Sequence, residues 1–193
     1  MVKHIFFLLE EQEMAVPMDE VLHVADAKKV IGQPQENAML SNGEEEYPVH
    51  AIGPTFGLVA HARDKIMVLK ARIPQEIHFE QRIIMYPVGI YVDRITKVLD
   101  DVRRVEAPTS LFAGMIEGDS ALVPILDTGQ LLSEKQQEKT IAFYEALKKK
   151  HAEAAKESSS RFKTIFAHAD KKSRIERIWK ERHSDPAEEN QVD

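Results

Sequence analysis

The sequence predicts a mainly β protein built from small barrels and followed by a C-terminal α-helical extension. Short apolar runs rich in β-branched and aromatic residues recur through the first 132 residues, separated by turn residues. Proline stands inside three of those runs, "AVPMD", "EYPVHA" and "LVPILD". From Glu134 onward the apolar residues instead recur at three- and four-residue intervals among charges. Many short strands with turns between them suit one or two small barrels better than a parallel α/β sheet.

The elements follow in order. "HIFFLL" (His4 to Leu9) and "EMAVPM" (Glu13 to Met18) flank the polar turn Glu10-Glu11-Gln12 and read as a hairpin. "MDEVLHV" (Met18 to Val24) fits one helical turn or a continuing strand, because so few residues show no decisive period. "GQPQENAMLSNG" (Gly32 to Gly43) has the composition of an irregular loop. Strands are expected at "EYPVHAI" (Glu46 to Ile52), "KIMVLKARI" (Lys65 to Ile73), "RIIMYPVGIYVDRITKVL" (Arg82 to Leu99, broken near Pro87) and "ALVPILD" (Ala121 to Asp127). Proline has no N–H for a ladder, so the three proline-bearing runs are expected at sheet edges, strand ends or bulges. Two of them also follow Gly-acid turns, "SNGEEE" and "IEGDSA", an echo that hints at two related halves.

Beyond Ser133, Ile141, Phe143, Tyr144 and Leu147 mark an amphipathic helix reaching about Lys156, broken by Ser158-Ser159-Ser160. Phe162, Ile165, Phe166 and Ala169 form a second stripe, and Ser173 with Glu176 has capping-box spacing before Ile175, Ile178 and Trp179. The expected organisation is a β domain over 1–133, a helical extension over 134–184 and a disordered tail over 185–193.

Composition narrows the function. The 193 residues are 43% hydrophobic, enough to fill a core. Cysteine is absent, which removes disulfides, thiolate nucleophiles and cysteine-ligated metals and fits a reducing cytoplasm. The apolar run Ile5 to Leu9 is too short for a signal peptide, and no run is long enough to span a membrane, so a cytoplasmic protein is expected. Residues after Ser133 hold 14 Lys+Arg against 12 Asp+Glu, leaving 12 against 20 in the first 133. So acidic a body argues against a nucleic-acid surface.

Catalytic patterns are missing. The eight histidines show no HExxH spacing, and there is no GxxxxGK, GxGxxG or GxSxG, so no metal, cofactor or catalytic residue is expected. The acids at Glu44 to Glu46 and at Asp100-Asp101 read as hydrated turns, since a catalytic pair would need burial to separate its pKa values. Asp127 precedes Thr128-Gly129 and reads as a cap accepting from the amides that follow; Asp93, ending "VGIYVD", has the same position. In the tail, Phe162, Ile165, Phe166 and Trp179 either pack within the protein or dock in a partner's groove. Lys148-Lys149-Lys150 reads as a solvated helix face.

The order of these pieces resembles the CheW-like domain family, adaptors that link chemoreceptors to a histidine kinase in bacterial chemotaxis. "HIFFLLEEQEMAVPMDEVLHV" looks like the family's opening hairpin, "VGIYVDRITKVLDDV" its Gly-aliphatic-Val-Asp strand, and "IEGDSALVPILDTGQLL" its closing strand. The resemblance covers roughly Lys3 to Leu132. It implies two small five-stranded SH3-like β-barrels, no catalysis, and binding of a kinase regulatory domain and a chemoreceptor's cytoplasmic tip. Self-association is possible and direct membrane insertion is not implied. Carried over by position, the partner-binding surface comprises Val21, His23 and Val24, with Asn37, Ser41, Asn42 and Gly43.

The chain departs from the family in three places. Asn42 stands where the family's connecting loop has arginine, and an amide cannot make arginine's charged, bidentate contact. Ala51 stands where a strand ends in aspartate, and the tail of about 60 residues is far longer than the family's closing helix. The alternative reading is therefore a repurposed scaffold outside chemotaxis that recruits its partner through the C-terminal helices. A pocket enzyme is a third class, which a buried, pKa-shifted carboxylate or histidine between the barrels would support.

Overall fold

The computed structural model describes residues 2–33, 36–43, 45–59, 63–100, 102–118 and 121–157. The chain divides into two compact units, Met1–Phe143 and Tyr144–Asp193. A helix, α1, spans 134–157, so the described part of the second unit is helical. The expectations for 158–184, with Phe162, Ile165, Phe166 and Trp179, and for the tail 185–193 lie outside the described residues.

Twelve strands are present among the described residues: β1 (His4–Leu9), β2 (Gln12–Pro17), β3 (Val21–Asp26), β4 (Val30–Ile31), β5 (Met39–Ser41), β6 (Glu46–His50), β7 (Lys65–Ile77), β8 (Glu80–Val92), β9 (Arg94–Leu99), β10 (Arg104–Val105), β11 (Phe112–Glu117) and β12 (Leu122–Leu126). They form two six-stranded sheets, ordered β10-β11-β12-β2-β1-β9 and β3-β7-β8-β6-β5-β4. The two-residue strands β10 and β4 add to the five expected in each.

The two sheets have one topology. Reading the second order backwards, β4, β5, β6, β8, β7 and β3 occupy the places of β10, β11, β12, β2, β1 and β9, and in both the third and fourth strands are parallel while the rest are antiparallel. The sequence echo falls on equivalent strands: Pro48 of β6 faces Met39, and Pro124 of β12 faces Met115. One sheet uses the contiguous strands β3 to β8, while the other joins the N-terminal hairpin to β9 through β12. In chain order, the first sheet is a circular permutation of the second.

Both sheets curl. Three strand spacings of about 4.8 Å would part β3 from β6 in a flat sheet, yet the His23 and Tyr47 rings lie 5.3 Å apart. Likewise His4 of β1 hydrogen-bonds Arg104 of β10, four strands away. Each curled sheet has its own interior, Leu40, Tyr47, Val49, Ile66, Val68 and Tyr91 in one and Phe6, Ala15, Ile116, Val123 and Ile125 in the other. A larger core lies between them, where Phe7, Leu9, Met14 and Val16 meet Met67, Leu69, Ile73, Val88 and Ile90. Strands buried on both faces explain why "HIFFLL" and "KIMVL" read as continuous apolar runs rather than alternating ones.

Three expectations need correction, and one open reading resolves. Pro17 does end its strand, but β6 and β12 are interior strands; their prolines are tolerated because each stands one residue before a parallel seam of only two pairs (Val49↔Gly89, His50↔Ile90) or one (Ile125↔Ala15). Pro87 does not break its strand, which runs unbroken to Val92; the break falls at Asp93. The Gly32-to-Gly43 loop contains β5, and the Met18-to-Val24 ambiguity resolves as a 3-10 turn, Met18–Glu20, leading into β3.

At the wider seam Gly89 faces the curled interior, where an added Cβ would lie 2.8 Å from Ile66 Cγ2 and 3.0 Å from Val49 Cγ2. Gly89→Ala is therefore expected to destabilise by about 1–2 kcal/mol through overpacking. A urea midpoint that falls at constant m would show it, and an unchanged midpoint would refute it.

Candidate partner-binding surface

Strand β3 closes one edge of its sheet and, among the described residues, has a ladder partner, β7, on one side only. Its burial alternates strictly. Val21 turns inward against the central core, and His23 turns inward against Tyr47. Leu22 and Val24 face outward, 42% and 41% exposed. Of the three residues proposed on this strand, only Val24 therefore turns its side chain outward. Leu22 was missed, although the alternation in "VLHVAD" is the signal that finds it. The topological counterpart of β3 is β9, the opposite sheet's edge, where Val98 and Leu99 are exposed.

Ser41, Asn42 and Gly43 form the turn joining β5 to β6. Asn42 Oδ1 accepts from the Glu45 amide at 2.8 Å, the Asn42 amide donates to the Glu45 carbonyl at 3.2 Å, and Ser41 Oγ accepts from the Gly43 amide at 3.4 Å. Gly43 holds φ +97°, the left-handed region that favours glycine. An asparagine can cap this turn because it has an acceptor, and arginine has none. The Tyr47 hydroxyl donates to the Glu45 carboxylate, and burial together with that carboxylate pushes the phenol up to about 12. Through Glu45, Tyr47 thus links the Asn42 turn to His23 of β3. Asn37 lies before the opposite end of β5, where its Oδ1 accepts from the Gln33 amide at 3.1 Å.

Asn37 instead lines a cavity of about 750 Å3 between β4, β5, β6 and the first turns of α1. Gln136 supplies one arm of a capping box at the start of that helix, its Oε1 accepting from the Ser133 amide and hydroxyl at 3.0 and 3.1 Å. His50, on the cavity wall, is buried with Nε2 2.8 Å from Thr140 Oγ1. Burial first, and the Lys139 charge second, lower its pKa to about 4. The Thr140 hydroxyl donates to the Gln136 carbonyl at 2.9 Å, so Nε2 must be the donor in the His50 contact. That direction leaves the Thr140 hydroxyl without a base, and the lowered pKa keeps His50 neutral near pH 7. Among the described residues no three His, Asp or Glu side chains gather as a metal site.

The strand-end aspartates do more than cap. Asp127 accepts from the Gly129 amide at 2.8 Å, the expected cap, and also from Arg72 Nη2 at 2.6 Å. Asp93 caps a different turn from the one expected, accepting from the Glu10 amide across the sheet rather than from the residues after it. Both its oxygens accept from Arg63 Nη1 at 2.9 Å, and Arg63 Nη2 reaches Glu10 Oε1 at 3.1 Å.

Neither a family model nor a curated protein matches the chain. Among solved structures it is similar to the scaffolding protein TtCheW from Thermoanaerobacter tengcongensis, with a TM-score of 0.50, 17% identity, and coverage of 65% of this chain and 88% of that one. The fold is CheW-like. The CheW-like fold accounts for the two curled six-stranded sheets. No described helix is long and apolar enough to cross a membrane.

Proposed function

We propose that the chain is a non-enzymatic adaptor of the cytoplasm, coupling a chemoreceptor tip to a histidine kinase's regulatory domain in chemotaxis-type signalling. The observation that carries this reading is the open β3 edge of a CheW-like fold, with Leu22 and Val24 turned outward. An exposed strand edge offers backbone N–H and C=O groups for strand addition, and alternate apolar side chains give such a contact its specificity. The Ser41–Gly43 turn and the Tyr47–His23 pair lie toward that edge, and Asn42 puts a neutral amide where the family carries a cation.

Titrating the full chain with a purified kinase regulatory domain and with a receptor-tip coiled coil tests the proposal. Saturable binding to at least one is expected, and Leu22→Glu with Val24→Glu should weaken it at least about tenfold, or about 1.4 kcal/mol, without lowering the melting temperature. If neither partner binds, or if the double variant binds as tightly as the parent, the adaptor reading through β3 fails.

A further inference from the structure

The hairpin β7–β8 is one unbroken ladder of thirteen pairs, from Lys65↔Val92 to Ile77↔Glu80, closed by the two-residue turn His78-Phe79. Both turn residues have left-handed backbones, φ +52° and +65°, which side chains other than glycine and asparagine adopt at a cost. The turn holds the Phe79 side chain 97% exposed. Among the described residues almost nothing covers this ring, and water is a poor solvent for it. Around it stand the carboxylates Glu76 and Glu80, offset by Arg82, which bonds Glu80 at 2.8 Å.

The cavity beside α1 has the complementary character. Met39, Pro48 and Val49 give it apolar walls, and Lys135 and Lys139 bring two cations against one acid, Glu36. Its volume of about 750 Å3 lies in the range of ligand-sized cavities, roughly 300–1,000 Å3. The tip cannot reach this cavity in its own chain. Val49 pairs with Gly89, ten residues along β8 from Phe79, which at about 3.3 Å per residue is on the order of 30 Å.

We propose that the Phe79 tip of one copy seats in the cavity between β5, β6 and α1 of a second copy. The occupant is fixed by apolar matching, by the net acidic tip meeting the net basic cavity, and by one knob and one socket on each chain. Knob and socket lie on different surfaces, so the contact is head-to-tail and extends into a ring or filament rather than closing as a dimer. The contact does not rest on the adaptor reading.

Sedimentation velocity of the full chain across a concentration series tests it, with Phe79→Ser removing the knob and Ala142→Trp covering the socket from an exposed helix position. The parent is expected to sediment faster with rising concentration. Each variant alone should stay monomeric, with association at least about tenfold weaker. Their equimolar mixture should form dimers and nothing larger, because one intact knob meets one intact socket and no further site is left. A parent monomeric throughout, a variant associating like the parent, or a mixture without dimers would each overturn the proposal.

Discussion

Acidification from pH 7 to pH 4 is expected to cost the fold about 3 kcal/mol through His50 alone. The imidazole has a pKa near its ordinary 6.5 in the unfolded chain and about 4 in the fold, because burial and Lys139 both disfavour the charged form. Between those values the unfolded state binds the extra proton. Stability from the buried neutral ring is therefore fully present above 6.5 and is lost as the pH falls toward 4, at about 1.4 kcal/mol per unit. His50→Leu separates this from other acid effects, since leucine is the residue at the topologically equivalent position, Leu126. Thr140 keeps its bond to Gln136 in that variant. Its unfolding free energy should change far less with pH across this window than the parent's. Some slope should remain, because His4 is also shifted downward, by burial and then by Arg104. Parallel pH profiles for the two proteins would refute the assignment.

Arg63→Ala is expected to destabilise by about 3 kcal/mol. The Arg63 side chain is 3% exposed and ties together three stretches: the β1–β2 turn through Glu10, the chain ahead of β7 on which it sits, and Asp93, where the backbone leaves one sheet for the other. Glu10 Oε1 also accepts from the Val59 amide, so the same carboxylate anchors the loop before Arg63. Removing one partner of a buried ion cluster leaves uncompensated charge, here two carboxylates facing each other. They are 30% and 34% exposed, so solvent screening places the loss toward the low end of the 3–5 kcal/mol seen for buried pairs. Arg63→Lys keeps a cation but cannot form both contacts with a fork, and should fall between. Urea denaturation reads all three proteins, and an alanine variant within about 0.5 kcal/mol of the parent would show that the cluster contributes little.

What could be read from the sequence follows the range of each interaction. The hairpin of "HIFFLL" and "EMAVPM", the Asp127 cap and the helix after Ser133 depend on near neighbours and were legible. The thirteen-pair β7–β8 hairpin was only half seen, because its turn is His78-Phe79 where such loops favour Asn-Gly, and its outer residues lack a core to pattern them. Arg63 and Arg72 gave no sign of their partners, 30 and 55 positions away. Of the residues proposed for partner binding, His23 turns inward onto Tyr47, a contact visible only with the curl that brings β6 beside β3. The permuted strand order was invisible for the same reason: one register pair, Ile125↔Ala15, joins the chain's second strand to its last.

That permutation has a consequence for how the protein is made. The strands β3 to β8 are contiguous, so one sheet has all its strands once residue 92 has been synthesised. The hairpin β1–β2, apolar on both faces, must wait until β12 is complete at residue 126. At about 5–20 residues per second that delay is roughly 5–20 s on the ribosome. Until residue 92 neither apolar face has its partner, and from there to residue 126 the face bearing Phe6 and Ala15 still lacks Ile116, Val123 and Ile125. Substitutions that slow translation between β8 and β12 should therefore lower the soluble yield more than equal delays placed after β12.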